Sequence, residues 1–261
     1  MQHAPYTTQL GAGLGLVEET RALLELWSPG MSAGQLHEVA LQSGRFPEIT
    51  ARRLRNIVSE CFAPRYLTDG GEPALHLKKL STGLPTPELT QLMLVFTSRA
   101  NPILYDFLCE VYWARYAGGH QEISNEDARA FVERGIDDGK TSKRWSEKVV
   151  RNVSGYLTGC CADYGLLERG SRKTRKIIPF RASPAVIAYI AYQLHFRDIG
   201  DNAILSHDDW KLFGLGRDDV LEEMKRLSLK GLVIIQSAGD VVRISWKQRD
   251  MEELCDVLAK G

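Results

Sequence analysis

No uninterrupted apolar run in this 261-residue chain approaches the ~18 residues that a membrane-spanning helix needs. The amino terminus lacks both the basic and the apolar region of a secretory signal, so the expected compartment is the cytoplasm. Cysteine is scarce and scattered: Cys61, Cys109, Cys160, Cys161 and Cys255 are odd in number and form no CxxC pair, which argues against a disulfide framework. Most occupy apolar helical positions and are expected as core thiols. His3, His37, His76, His120, His195 and His207 include no pair three or four residues apart, so no zinc site, and no other metal or cofactor, is expected. Standard nucleophile and phosphate-loop motifs are missing too, which argues against an enzyme and leaves no evident small-molecule substrate. Gly11, Gly13 and Gly15 approach a dinucleotide fingerprint, but its sixth position is Leu16 and no strand precedes it. The segment is read as a flexible lead-in or helix-start turn.

Net charge is also absent, since 33 Lys and Arg balance 33 Asp and Glu. The charge is nevertheless segregated. Residues 140–181 hold eleven cations against Glu147, Asp163 and Glu168, a local net of +8 that the remaining residues must cancel. Within this stretch Trp145, Val149, Val153 and Leu157 recur every fourth residue, which predicts a helix. At about 100° per residue, Arg144, Lys148 and Arg151 then fall within roughly 60° on the opposite side. After Gly165, Leu166–Glu168 and Ile177–Phe180 read as short strands around a cationic turn near Gly170, with Pro179 confining the second strand to a sheet edge. A helix followed by a basic hairpin is the order of a winged helix, whose helix can enter the major groove while the hairpin touches the backbone or minor groove. A solvated surface is the competing account of any one charge run. A helical stripe and a neighbouring turn of the same sign favour a polyanion instead.

The rest of the chain reads as a series of helices. Leu16–Trp27 is amphipathic and ends at Ser28-Pro29-Gly30; Ser32 with Gln35 predicts a capping box for the second helix. A third helix, capped by Thr50, buries Leu54, Ile57, Val58, Cys61 and Phe62 and presents Arg52, Arg53 and Arg55, which suggests a helix-turn-helix. Residues 69–87, rich in turn formers, are the best candidate for a linker or long loop. Pro102–Tyr116 carries the clearest helical period, and Ser124 with Asp127 starts a helix that Gly139 ends. An apolar helix covers residues 182–196. Beyond Ser206, two helices and a hairpin around Ser237–Asp240 suggest a second winged module, whose helix mixes Asp218, Asp219, Glu222 and Glu223 with Arg217, Lys225 and Arg226. That mixture suits a protein contact better than a phosphate backbone. Met251–Leu258 reads as a last amphipathic helix.

The expected fold is therefore mainly α, a helical bundle with helix-turn-helix or winged-helix-like modules and small β-hairpin wings. Its expected regions are residues 1–80 (N-terminal helical), 81–200 (central, with basic helix and wing) and 201–261 (terminal winged-helix-like module). The opening YTTQLGAGLGLVEETRALL, the segment ARRLRNIVSECFAPRYL and the run of helices with small wings resemble the BrxA family of BREX bacteriophage-exclusion systems in bacteria. The resemblance implies a mostly helical, cytoplasmic DNA-binding protein that acts with other BREX members, including a DNA methyltransferase and an ATPase. Charge and period, not the resemblance, nominate the contact residues: Arg52, Arg53, Arg55, Lys143, Arg144, Lys148, Arg151, Arg169, Arg172, Lys173, Arg175 and Lys176. The expected ligand is double-stranded DNA held mainly through phosphates. An assembly adaptor for partner proteins of the defence complex, or an RNA-binding protein, would use the same basic surface.

Overall fold

The computed structural model describes residues 5–170, 173–238 and 241–260. Side-chain caps fix many of its helix starts. α1 (Val17–Leu26) stops at Trp27, and α2 (Ala33–Gln42) opens on a reciprocal box: Gln35 N–H donates to Ser32 Oγ (3.3 Å) and Ser32 N–H to Gln35 Oε1 (2.8 Å). α3 (Ala51–Asn56) is capped by the Thr50 hydroxyl and continues through a π turn, Ile57–Phe62, into α4 (Ala63–Tyr66). Leu54, Ile57, Val58, Cys61 and Phe62 are buried, as their spacing predicts.

Residues 69–87 are not a loop. Their turn formers sit at the two ends, with Asp69, Gly70 and Gly71 at positive φ at the entrance, while Ala74, Leu77 and Leu80 bury one face of α5 (Glu72–Leu80). Pro73 occupies the first turn, where no N–H is needed, so it does not break the helix. α6 (Thr86–Ala100) and α7 (Pro102–Phe107) follow, the latter passing through a π turn, Leu108–Tyr112, into α8 (Trp113–Ala117). The apolar stripe predicted for this segment, Ile103, Leu104, Phe107, Leu108, Val111 and Tyr112, is buried throughout.

Contacts group the chain into two units, Met1–Lys78 with Met93–Phe180, and Lys79–Leu92 with Arg181–Gly261. In the first unit β1 (Glu122–Ser124) leads into α9 (Asn125–Asp137), which opens on the predicted Ser124–Asp127 box. α10 (Glu147–Asp163) follows, capped by Ser146, and then β2 (Thr174–Lys176). β2 pairs antiparallel with β1, Glu122 facing Lys176 and Ser124 facing Thr174. On its other side Leu167 bridges Ile177, and the Glu168 and Ile178 N–H groups bond the carbonyls of Lys176 and Leu166. The second wing strand therefore starts at Thr174 and is flanked on both sides. Pro179 lies beyond this ladder, where its missing N–H costs nothing, and does not mark an edge.

The segment before α1, read above as a flexible lead-in or helix-start turn, holds a 3₁₀ turn at Gln9–Ala12 and is clamped by contacts from far along the chain. Buried Arg65 donates to the carbonyls of Gly13 (2.7 Å) and Leu14 (2.9 Å), and Gly15 N–H donates to Asp163 (3.0 Å). A Cβ on Gly11 would lie 2.8 Å from the Tyr156 ring, and one on Gly15 2.4 Å from Asp163 Cβ, so glycine here serves close approach to α10.

In the second unit α11 (Pro184–His195) is apolar on nearly every side and buries Val186 to Leu194. α12 (Asp201–Leu205) precedes a 3₁₀ turn, Asp208–Phe213, and α13 (Arg217–Leu229). β3 (Val233–Ala238) and β4 (Val241–Trp246) form the predicted hairpin; Gly239 and Asp240 of its turn lie outside the described residues. Ile244 N–H bonds Asp201 Oδ2 (2.8 Å) and Val242 N–H bonds Asn202 Oδ1 (3.4 Å), so side chains of α12 occupy the free edge of β4. Glu223 is not on an exposed helix face: it is buried between Arg181 (3.1 Å) and Arg226, because a carboxylate there answers two guanidinium groups. α14 (Met251–Lys260) ends the description, and among the described residues no helix is long and apolar enough to cross a membrane.

Replacing Arg65 with Met keeps the volume but removes both donors. The unfolding free energy, read from the urea midpoint of the far-UV signal, is expected to fall by about 2–3 kcal/mol as two buried carbonyls lose their partners. Cys61, Cys160, Cys161 and Cys255 are buried, and burial pushes the Cys160 thiol up to about 12, whereas Cys109 is partly exposed. Thiol titration at pH 8 should accordingly label Cys109 first and the other four only on unfolding.

Candidate nucleic-acid interface

α10 is amphipathic because its apolar residues follow the helical period: Val150, Val153, Leu157, Cys160 and Cys161 are buried. The opposite side carries Lys148, Arg151 and Asn152, all exposed. The helix begins at Glu147, so Lys143, Arg144 and Trp145 belong to the preceding segment. Arg144 therefore does not share a helical face with Lys148 and Arg151, as expected above. Ser146 cuts the pattern, since its hydroxyl accepts the Val149 N–H (3.5 Å) and makes it the cap.

The nominated cations fall into three groups. Arg52, Arg55, Lys143, Lys148, Arg169, Lys173 and Lys176 are exposed, and none has a carboxylate within ion-pair distance among the described residues. Arg144 and Arg151 are exposed in loose pairs with Asp137 (3.4 Å) and Glu147 (3.5 Å). Such surface pairs contribute about 0–1 kcal/mol and yield readily to a phosphate. Arg53 and Arg175 are engaged within the fold. Arg53 donates to the Ala12 carbonyl, and half-buried Arg175 donates to the Glu168 carbonyl (3.3 Å) while its Nε is buried without a partner. Arg175 turns inward because it alternates with Thr174 and Lys176, which are exposed. Arg172 lies outside the described residues.

The fold brings Arg53 and Arg169 to one shallow cavity of about 420 Å³, where Glu18, Glu19 and Asp163 also line the wall. Three carboxylates against two guanidinium groups make this patch a poor seat for phosphate. The unpaired positive charge is carried instead by α10 and the strands after it.

Lys140, part of the basic stretch, is a structural cation. Its Nζ bonds Asp106 (2.9 Å), Tyr6 OH (3.1 Å) and Glu110 (3.3 Å), and Tyr6 OH donates to Asp106 (2.5 Å). Burial alone would lower the Lys140 ammonium, but its bonds to Asp106 and Tyr6 outweigh that and raise it. Burial, reinforced by Asp106, raises the Tyr6 hydroxyl well above the usual phenol range. Lys140 and Tyr6 thus tie the start of the described chain to the turn after α9.

Asn152 and Gly155 lie outside a count of cations because neither carries charge. The signal was nonetheless present: with Lys148 and Arg151 they complete an i, i+3, i+4, i+7 stripe on the polar side of α10.

The family model BrxA matches residues 4–193 of the chain. No curated protein matches it.

Substituting Lys140 with Ala should lower stability by about 1–2 kcal/mol in urea unfolding, since it strips a half-buried carboxylate of a charged donor. Lys148→Ala should leave the same midpoint within about 0.5 kcal/mol.

Proposed function

The chain belongs to the BrxA family, a component of BREX phage-defence systems, and from that premise we propose that it is a non-enzymatic protein that binds double-stranded DNA, chiefly through phosphates. The observation that carries this reading is the set of exposed cations without carboxylate partners, among the described residues, on α10 and on and before β2: Lys148, Lys173 and Lys176. The element order of the first unit, α7 and α8, β1, α9, α10 and a basic segment ending in β2, supports a winged-helix reading. On that reading α10 lies in the major groove and the turn after Glu168 meets the adjoining backbone. Arg151 joins them by exchanging its exposed partner Glu147 for the duplex. Arg52, Arg55 and Lys143 supply further positive charge, while Arg53 and Arg175 contribute little because the fold already uses them.

A partner-protein role fits the second unit separately. Leu229, at the end of α13, is 90% exposed beside Lys225 and Arg226, a mixed apolar and charged surface of the kind that other BREX proteins could cover. Retention of a partner through nuclease treatment would support it.

The DNA reading is tested by a salt series on duplex DNA, single strands and structured RNA. With six to eight phosphate contacts, log K for the duplex should fall against log salt with a slope of about −5 to −7. Reversing Lys148, Arg151, Lys173 and Lys176 to Glu should abolish retardation while the thermal midpoint holds. Absence of duplex binding at low salt, or binding indifferent to the four reversals, overturns it; tighter binding to structured RNA moves the assignment to RNA.

A further inference from the structure

Two glycines interrupt α10, and only one has a reason inside the molecule. A Cβ on Gly159 would stand 2.9 Å from Leu14, so that glycine lets the clamped amino-terminal segment pack against the helix. A Cβ on Gly155 would meet no atom within 4 Å, and Gly155 is not at positive φ. Glycine destabilises a helix interior relative to alanine, and neither backbone geometry nor internal packing recovers that loss here. Next to it stands Asn152, exposed, itself a weak helix former, with no hydrogen-bond partner among the described residues.

On a helix advancing about 100° per residue, Lys148, Arg151, Asn152 and Gly155 lie within an arc of roughly 100°. That arc is centred opposite Leu157, which is fully buried. Lys148 and Arg151 give one polar face its charge, Asn152 gives it an amide, and Gly155 leaves its middle bare. A bare position on an exposed cationic face suits the close approach of something outside the chain.

We infer that this face reads base edges: Arg151 and Asn152 contact the major-groove edges of a duplex, and Gly155 is bare so that the α10 backbone can sink between them. The inference rests on the duplex-binding reading above and adds sequence preference to it. Arginine presents a fork that matches the two acceptors of guanine, and asparagine pairs one donor and one acceptor with adenine, so the two neighbours suit adjacent or overlapping base steps. The Arg151–Glu147 pair does not oppose this, since both side chains are largely exposed and the pair is a single 3.5 Å contact. Phosphate-only binding would place no requirement on an uncharged amide or on a missing side chain in the middle of the face.

The full-length protein is incubated with a duplex library carrying a random core, bound molecules are sequenced, and affinities are measured for the recovered core and a scrambled one at a single salt concentration. Wild-type protein should prefer the recovered core by about tenfold or more. Asn152→Ala and Gly155→Leu should bring that ratio close to one, and Gly155→Leu should unfold at the same or a higher temperature. Lys173→Ala, which removes a phosphate contact, should weaken both duplexes and leave the ratio standing. The inference is overturned if wild-type protein recovers no sequence, if both face variants keep the ratio, or if Gly155→Leu lowers the unfolding temperature, which would reveal a packing role. Duplex binding without preference defeats this inference alone; no duplex binding at all defeats the proposed function with it.

Discussion

A buried guanidinium organises the first unit. Arg65 is 3% exposed, and among the described residues it meets no carboxylate; its donors go to the backbone carbonyls of Gly13 and Leu14. Burying a cation is tolerable only when its donors are satisfied, so the segment that provides those carbonyls cannot move away. That segment then reaches α10 through three contacts: Gly11 against Tyr156, Leu14 against Gly159 and Gly15 N–H on Asp163. A side chain on Gly15 would force the segment off the helix, and one on Gly11 or Gly159 would displace Tyr156 or Leu14. The buried side of α10 is thereby fixed, and so is the side left to solvent, with Lys148, Arg151, Asn152 and Gly155 on it.

The same physical rule sorts the cations of residues 140–181. Where a positive side chain lies partly out of water, it is answered at least in part: Lys140 by Asp106, Tyr6 and Glu110, and Arg175 by the Glu168 carbonyl, with its Nε left unpartnered. Where it is fully solvated, it is either loosely paired or unpaired. The described cations of this run thus divide into a part that holds the fold, Arg181 on Glu223 included, and a part free to act on something else. Sequence sums both parts together, because net charge carries no information about depth.

Short-range signals were legible. Caps at Ser32, Thr50 and Ser124 and the stripe from Ile103 to Tyr112 depend on residues within one or two turns, and such local geometry survives folding. Errors arose where composition hid a short helix, where a cap cut a regular spacing, and where a distant partner decided the outcome. Residues 69–87 look like a linker because composition averages over two turns and hides α5 between them. Pro179 looked like an edge marker because β1, some fifty residues earlier in the chain, was not recognised as the other neighbour of β2. Arg144 looked helical because an apolar Trp145 extends the four-residue rhythm past the true cap at Ser146.

The capped helix starts at Ser32, Thr50 and Ser124, the apolar stripe from Ile103 to Tyr112 and the separation of charge were settled by the sequence itself, since each depends on neighbours within a few residues. Tertiary structure decided which glycines are there for packing, which cations are spent, and that residues 79–92 group with residues 181–261. Those outcomes turn on atoms brought together from far apart in the chain, and a glycine with Leu14 at 2.9 Å reads the same in one dimension as a glycine facing open space.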